Sequence, residues 1–379
     1  MGSNQGSITF ASWIRRPENN HLVVLGKPRT PSTPSQIQIF SFDSKNNSLA
    51  SSPKAEYACE DGDVVSVAVH PCGDDIVCST TNGCILFELV PQGQDLKLLA
   101  KDLPLLKDVG PQKIVVFSAD GSRFAAADVD GHLRIFEWPN MRILLDEPRA
   151  HKSFRDLDFS LDSEFLVSTS TDGSARIWKT NEGVPLTSLT RDSDEKIECC
   201  RFSRDGTKPF LFCTVQKGGR ALTAVWDIFT WNKIGHKKLS RKPVSVLSTS
   251  LDGKYLAFGS NDGDLLVVEV KKMEICHWSK KLHLGTSILS IEFCPSERVA
   301  MSTSSEWGAV VTKLNVPADW KDWQIYLVLL GLFLASAVAF YIFFQNSDSF
   351  WNFPLGQDQP AKPAIEAIMG DSQTLDDIL

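Results

Sequence analysis

A histidine, two serines and an aspartate follow one another in the middle of the chain, in the order His151, Ser168, Ser170 and Asp172. These residue types can form a nucleophilic relay, in which histidine takes the serine proton and aspartate orients the histidine. The sequence lacks the Gly-x-Ser-x-Gly elbow that exposes such a serine. It also lacks the phosphate-binding loop, the dinucleotide fingerprint and the HExxH zinc motif. We therefore expect no catalytic, cofactor-binding or metal-binding residues.

The elements that carry these residues repeat along the chain. Each repeat has an alternating apolar run, a polar turn, a second apolar run, another turn and a third apolar run. Equivalent turn positions recur 42 to 48 residues apart, at His70, Ser118, Ser160, Ser203, Ser250 and Cys294. A period in this range with short strands is typical of β-propeller blades. The sequence therefore predicts six full blades of an all-β propeller.

Three repeats have an Asp-Gly pair between apolar runs: Asp130-Gly131, Asp172-Gly173 and Asp262-Gly263. Glycine tolerates positive φ and aspartate bonds its own backbone, so the pair favours a tight hairpin turn. We interpret these aspartates as turn residues and not as catalytic carboxylates.

Residues 7–43 precede the six units and contain three further apolar runs, SITFASWI, HLVVLG and QIQIFSFD. These runs are typical of β-strands and predict part of a seventh blade. A closed ring has no exposed strand edge at its ends. We expect an N-terminal strand to close the ring by pairing beside the last strands, near residues 310–316.

The third full repeat resembles the WD-repeat family. In that family a histidine, a hydroxyl, the turn aspartate and a strand tryptophan form a hydrogen-bond chain that holds the blade together. The resemblance implies this structural role for His151, Asp172 and Trp178, with Ser168 or Ser170 as the hydroxyl. The next repeat contains the Trp226-Asp227 dipeptide itself.

Composition excludes some classes of protein. The formal net charge of −7 argues against a nucleic acid as main partner, because such binding depends on clustered basic residues. The nine cysteines form no CxxC pair, and several lie in apolar runs, where a reduced thiol packs as a small hydrophobic group.

Residues 325–344 are twenty residues without a charge, long enough for a helix to cross a bilayer. Aromatic residues flank them, at Trp320, Trp323, Tyr326, Tyr341, Phe350 and Trp351. Lysines lie before the span, whereas the tail carries one lysine among several acids. This asymmetry places the N-terminal part in the cytosol. We expect a propeller over 1–318, a juxtamembrane segment 319–324, a transmembrane helix 325–344 and a disordered acidic lumenal tail 345–379.

A propeller followed by a C-terminal anchor resembles the endoplasmic-reticulum (ER) exchange factors that load GTP onto the Sar-type GTPase of COPII coats. Motifs such as SWIRRP, SLDGKYLAFGSNDGD, SSEWGAVVTKL and FFQNSDSFW are similar to a specialised branch of these proteins, the plant phosphate transporter traffic facilitators. The resemblance implies a single-pass protein of the ER membrane.

The exchange factors carry a Gly-rich loop, ending in Asn, that binds a potassium ion and reaches the nucleotide site of the GTPase. The matching residues 25–40 contain one glycine, Gly26, and three prolines, and place Ser35 or Gln36 where Asn is expected. Proline removes amide donors and loss of glycine removes backbone freedom. The resemblance therefore implies weak or absent exchange activity, with potassium required only if activity is retained. We take Gly26, Lys27, Arg29 and Gln36 as a candidate partner-binding loop; an ordinary surface loop fits this segment equally well.

A second candidate surface is a run of basic residues. It could meet an acidic protein or lipid headgroups, although a solvated inter-blade loop is the more ordinary interpretation. Its members are Lys233, Lys237, Lys238, Arg241 and Lys242.

We expect an ER-membrane scaffold that helps phosphate transporters leave for the plasma membrane by binding proteins. One alternative is an exchange factor for a Sar-type GTPase that initiates COPII vesicle formation. Another is a tether that recruits coat components without cargo selectivity.

Overall fold

The computed structural model describes residues 6–16, 19–60, 62–92, 95–316 and 322–345. They belong to two compact units, Met1–Val316 and Pro317–Leu379. The first unit contains seven antiparallel sheets, each built from consecutive strands. The first strand of each sheet contacts the first strand of the next, and the last sheet contacts the first. The unit is a closed seven-bladed propeller, which confirms the predicted fold class.

The strands are numbered in chain order. Blade 1 contains β1 Phe10–Arg16, β2 Asn19–Lys27, β3 Ser35–Asp43, β4 Ser48–Leu49 and β5 Ala55–Cys59. Blade 2 contains β6 Val64–Val69, β7 Asp75–Thr80, β8 Cys84–Gln92 and β9 Asp95–Asp102, and a 3-10 turn follows at Pro104–Leu106. Blade 3 contains β10 Gln112–Phe117, β11 Arg123–Asp128, β12 Leu133–Glu137 and β13 Arg142–Glu147.

Blade 4 contains β14 Phe154–Phe159, β15 Phe165–Ser170, β16 Ala175–Lys179 and β17 Val184–Ser188. Blade 5 contains β18 Glu195–Phe202, β19 Phe210–Lys217, β20 Arg220–Asp227 and β21 Lys233–Ser240. Blade 6 contains β22 Val244–Thr249, β23 Tyr255–Ser260, β24 Leu265–Glu269 and β25 Glu274–Ser279. Blade 7 contains β26 Ser290–Phe293, β27 Val299–Ser304 and β28 Gly308–Lys313.

The core lies between neighbouring blades. One cluster, for example, packs Ala125 and Leu133 of blade 3 against Phe154 and Trp178 of blade 4. Because each blade is covered on both faces, its second strand is nearly continuously buried, as in β15. The outer strand β17 is mostly exposed. The repeated apolar runs form these layers.

The Asp-Gly pairs form the predicted hairpin turns. Gly131, Gly173 and Gly263 have φ of 91°, 84° and 83°, which only glycine adopts without strain. At Gly131 a β-carbon would also lie 1.8 Å from the carbonyl oxygen of His151. The backbone N–H of His151 donates to the Gly131 carbonyl at 3.2 Å. The turn therefore also docks one blade against the next.

The predicted closure of the ring by strand pairing is wrong for the described residues. There, β28 pairs with β27 alone, whereas β1 pairs with β2 and β5 pairs with β3. The N-terminal segment contains three strands, and residues 55–59 provide the fourth by pairing with β3. It therefore forms a complete blade of its own and does not complete blade 7.

A side-chain seam between β1 and β26 closes the ring. The carboxylate of Glu292 accepts hydrogen bonds from the Ser12 hydroxyl and the Trp13 backbone N–H, each at 2.9 Å. The Trp13 ring packs in an apolar cluster with Met301 and Ala309 of blade 7. Burial raises the pKa of Glu292, although Trp13 N–H and the charge of Arg15 act in the opposite direction.

The second unit contains one described element, helix α1, Asp322–Gln345. Its residues Trp323–Gln345 are long and apolar enough to cross a membrane, and they include all of the predicted span. The predicted juxtamembrane segment lies partly outside the described residues. Of the predicted tail 345–379, Gln345 is the last residue of helix α1. Residues 346–379, together with Trp320, lie outside the described residues.

Replacement of Glu292 tests the seam. We expect Glu292→Ala to lower the free energy of unfolding by about 1–3 kcal/mol, because two donors at the seam lose their acceptor. Glu292→Gln keeps an acceptor oxygen and should lose less. Urea denaturation of the full chain in neutral detergent, followed by tryptophan fluorescence, measures both. Equal stability of Glu292→Ala and the wild type would contradict the seam.

Candidate functional site

Three of the residues predicted to hold the third repeat together meet in blade 4. Trp178 Nε1 donates to Ser168 Oγ at 2.8 Å, and His151 Nε2 lies 2.7 Å from the same oxygen. Because the indole N–H can only donate, the Ser168 hydroxyl is free to give its proton to His151. All three side chains are buried, and Ser168 is fully inaccessible. This serine cannot reach a substrate, so the arrangement holds the blade together.

Asp172 lies near the hydrogen-bond chain of His151, Ser168 and Trp178 but is not part of it. Its carboxylate accepts the Ser174 N–H at 2.8 Å and the Ser174 hydroxyl at 2.6 Å. Ser170, the other candidate hydroxyl, accepts the Asp172 N–H at 3.4 Å. Asp172 thus fixes its own turn and acts on His151 through its charge.

A second buried histidine occupies the equivalent place between blades 6 and 7. His283 Nδ1 contacts Ser304 Oγ and Nε2 contacts Ser302 Oγ, both at 2.8 Å. Sequence reasoning missed it, although a signal was present. Like His151, His283 follows the glycine of an Asp-Gly turn by twenty residues. Burial lowers the pKa of each histidine to about 4.

The candidate partner-binding loop is shorter than predicted, because Gly26 and Gln36 belong to strands. Gly26 is buried in β2, and a β-carbon there would lie 2.4 Å from the ring of Phe10. This glycine supports packing and is not at a surface where a partner could bind. Lys27 and Gln36, both half-buried, form the last pair of the ladder between β2 and β3. Residues 28–34 alone form the connection.

This connection, called the β2–β3 hairpin tip below, is bonded to itself and to blade 2. The backbone N–H of Thr30 donates to the Thr33 carbonyl at 2.9 Å, and their hydroxyls lie 2.7 Å apart. The guanidinium of Arg29 is exposed and donates to Asp63 at 2.8 Å and to the Glu60 carbonyl at 3.0 Å. The Thr30 and Thr33 carbonyls of the tip thus accept hydrogen bonds from within the tip itself.

Exposed apolar residues lie on the same face of the propeller as the hairpin tip. In an antiparallel blade, the turns between second and third strands and the connections to the next blade emerge on one face. Trp307 in such a turn of blade 7 and Leu284 in such a connection are 50% and 54% exposed. Trp307 Nε1 donates to the Leu284 carbonyl at 3.1 Å. Exposed tryptophan at a fixed place is typical of a protein-binding surface, and sequence reasoning missed it.

The basic run is not the solvated inter-blade loop that we considered. Most of it forms β21, the outer strand of blade 5, paired with β20. At its ends, Lys233 Nζ lies 3.2 Å from both carboxylate oxygens of buried Glu195, and Lys242 Nζ lies 3.1 Å from a carboxylate oxygen of Asp264. Lys237 and Lys238 are exposed between them. These residues form a strand and not a loop because residues 233–240 match the mainly apolar strand β20 in length and pair with its backbone.

Comparison with known proteins also identifies a WD repeat in blade 4. The family model "WD domain, G-beta repeat" matches residues 143–179, which include His151, Ser168 and Trp178. SEC12-like protein 1 of Arabidopsis thaliana is 56% identical over 97% of this chain and 94% of its own length. SEC12-like protein 2 of the same plant is 32% identical over 75% and 73%. The guanine nucleotide-exchange factor SEC12 of Rattus norvegicus is 21% identical over 66% of each chain.

The buried histidines predict a pH dependence. Their pKa of about 4 in the folded chain lies below the ordinary value near 6.5. The stability that the neutral rings contribute is therefore complete above about pH 6.5 and is lost as the pH falls through 4. Each histidine should account for up to about 3 kcal/mol of this loss.

Urea denaturation of the full chain between pH 7 and pH 4 measures the effect. The variant His151→Gln should be less stable than the wild type at pH 7 but should lose less stability on acidification. Val167→Ala, which removes buried apolar atoms of β15 and changes no titratable residue, provides the control with an unchanged pH slope. Parallel curves for His151→Gln and the wild type would show that His151 does not contribute.

Proposed function

The chain belongs to the family of SEC12-like proteins, and from this membership we propose that it is an ER-membrane scaffold that helps phosphate transporters leave the ER. The observation that carries the proposal is the β2–β3 hairpin tip, a closed turn bonded through Thr30 and Thr33 where exchange factors need an ion-binding loop. The transporter cargo rests on the motifs that resemble the plant facilitators, such as SWIRRP and SSEWGAVVTKL.

The mechanism is binding and not bond chemistry. A rigid ring holds its surface turns at fixed positions, which suits a docking surface. On the face with the hairpin tip, the exposed guanidinium of Arg29 forms an ion pair with Asp63. Trp307 and Leu284 provide an exposed apolar contact on the same face. A buried aromatic anchor with a charged neighbour supplies most of the affinity in many interfaces. We place COPII components, including a Sar-type GTPase, among the partners of this face.

The orientation follows from the charges around helix α1. Lys313 precedes the helix, and the charged residues of the tail after it are mostly acidic. Positive residues remain on the cytosolic side of a membrane span. We therefore place the propeller in the cytosol and the C-terminus in the ER lumen.

Loss of the protein should retain phosphate transporters in the ER while general secretion stays near normal. Wild-type protein should restore the transporters to the plasma membrane. Trp307→Ser should restore at most about a tenth as much, because the face loses its exposed aromatic anchor. Microscopy of a fluorescent transporter beside an unrelated plasma-membrane protein measures both.

The control is Phe229→Ser, which removes an aromatic ring that is 79% exposed in a turn on the opposite face; it should restore transport fully. Retention of many unrelated membrane proteins would contradict cargo selectivity and favour a general tether. Full restoration by Trp307→Ser would contradict the proposed face.

A second candidate function is nucleotide exchange on a Sar-type GTPase. It is favoured by the relatives from rat and from Mus musculus, both named guanine nucleotide-exchange factor SEC12 and both 21% identical to this chain. In this chain the hairpin tip lacks glycines and has Pro28, Pro31 and Pro34.

We expect the full chain in neutral detergent to speed release of a fluorescent nucleotide from a Sar-type GTPase by less than about twofold. The rat relative, measured beside it, provides the positive control. A many-fold acceleration by this chain would replace our proposal with the exchange function.

A further inference from the structure

We propose that the rim between blades 5 and 6 binds an acidic, extended peptide segment of a partner protein. The segment would lie along β21 and end in the groove between β21 and β25. The groove lies on blades 5 and 6, at the edge of the face that carries the β2–β3 hairpin tip on blade 1, and its lining includes none of Arg29, Leu284 and Trp307. The inference therefore goes beyond the proposed function and does not depend on it.

The charge of β21 is the first observation. Its sequence, KIGHKKLS, contains three lysines and a histidine and no acidic residue. Lys237, Lys238 and the following Arg241 are exposed, and within the described residues none of the three has an ion pair. Lys233 and Lys242, at the two ends, are already matched by carboxylates of the fold. The unmatched positive charge therefore lies in the second half of β21 and just beyond its end, with Lys237 and Lys238 on opposite faces of the strand.

Other outer strands do not share this character. The outer strands β9 and β13 mix both signs of charge, with DLKLLAKD and RILLDE. β17, VPLTS, has no charge, and β25, EICHWS, carries an acid. Lysine on an exposed strand edge can simply prevent aggregation, but that explanation applies equally to every blade. The concentration of cations on β21 is specific to blade 5.

The groove beside β21 is the second observation. It has a volume of about 380 Å³ and is lined by Lys238, Ser240, Arg241, Lys242, Asp264 and Trp278. The Trp278 ring is 52% exposed, and Lys280 Nζ lies 4.4 Å from its centre. Asp264 would repel an acidic ligand, but its oxygens accept bonds from Lys242 and from the Lys281 N–H. The groove thus offers cations, a neutralised acid and an aromatic surface.

The shape of the charged surface favours a peptide. Eight residues of β21 extend over about 26 Å, and within the described residues this strand is hydrogen-bonded on one side only, to β20. An extended chain can add to such an edge through its backbone while its carboxylates meet the lysines. A lipid headgroup is compact and would occupy only part of this edge. Charge complementarity and a free edge together point to an acidic peptide.

The test measures binding of a fluorescein-labelled peptide of about twelve residues, in which Glu alternates with Thr and one Leu is included. The full chain in neutral detergent micelles should bind it in a polarisation assay at about 0.1 M salt. The triple variant K237E/K238E/R241E should weaken binding at least about tenfold, since each close charge pair contributes a few tenths to one kcal/mol and reversal adds repulsion. Trp278→Ala should weaken it about threefold.

The matched control is K45E/K54E/K97E, which changes the net charge equally at three exposed lysines of blades 1 and 2. It should bind the peptide nearly as well as the wild type, and the peptide with Gln in place of Glu should not bind. Unchanged thermal unfolding of both triple variants excludes misfolding. Absence of binding by the wild type, equal loss in the control variant, or binding of soluble inositol trisphosphate in place of the peptide would overturn the proposal.

Discussion

The whole ring depends on how its two ends meet. Ser12 and Glu292 are separated by 280 residues, and bringing them together closes the longest loop in the fold, at an entropy cost that contacts at the seam must offset. Two donors to one carboxylate, the Ser12 hydroxyl and the Trp13 N–H, and an apolar cluster around Trp13 provide those contacts. Since each blade packs only on its two neighbours, an open seam would expose faces of blades 1 and 7.

The seam also determines where the proposed surfaces lie. The β2–β3 hairpin tip belongs to blade 1, and Trp307 belongs to blade 7. These blades are the farthest apart in sequence, yet they are neighbours because β1 contacts β26. A docking surface that combines Arg29 with Trp307 therefore exists only in the closed ring. The rim at β21 lies within consecutive blades and needs no such closure.

Much of the fold could be predicted from the sequence because it repeats. Period, alternating apolar runs and Asp-Gly turns all have local causes, and the structure contains them where they were expected. Closure could not be predicted in this way. Residues 55–59 complete blade 1, and Ala55 and Tyr57 are too weakly patterned to be recognised as a strand without their partner β3. Similarly, the lysines of residues 233–242 suggested a solvated loop, whereas most of these residues form strand β21 because they pair with β20.

The candidate site was predicted less well, for a physical reason. The hydrogen-bond chain of His151, Ser168 and Trp178 follows a sequence pattern of the WD-repeat family and could be recognised. No sequence pattern shows which apolar residues of a turn are exposed, so Trp307 and Leu284 could not be found without the structure. Gly26 illustrates the opposite error: a glycine that suggested a flexible loop is required by close packing against Phe10. Residue type alone does not distinguish freedom at a surface from lack of space in a core.

A double-mutant cycle between Ser12→Ala and Glu292→Ala tests the central claim, that a side-chain seam closes this propeller. The unfolding free energies of the wild type, both single variants and the double variant, measured under the same conditions, give the coupling between the two ends of the ring. Closure by the seam predicts a coupling of about 1 kcal/mol. Strict additivity of the two substitutions would contradict it, because the two side chains would then contribute independently.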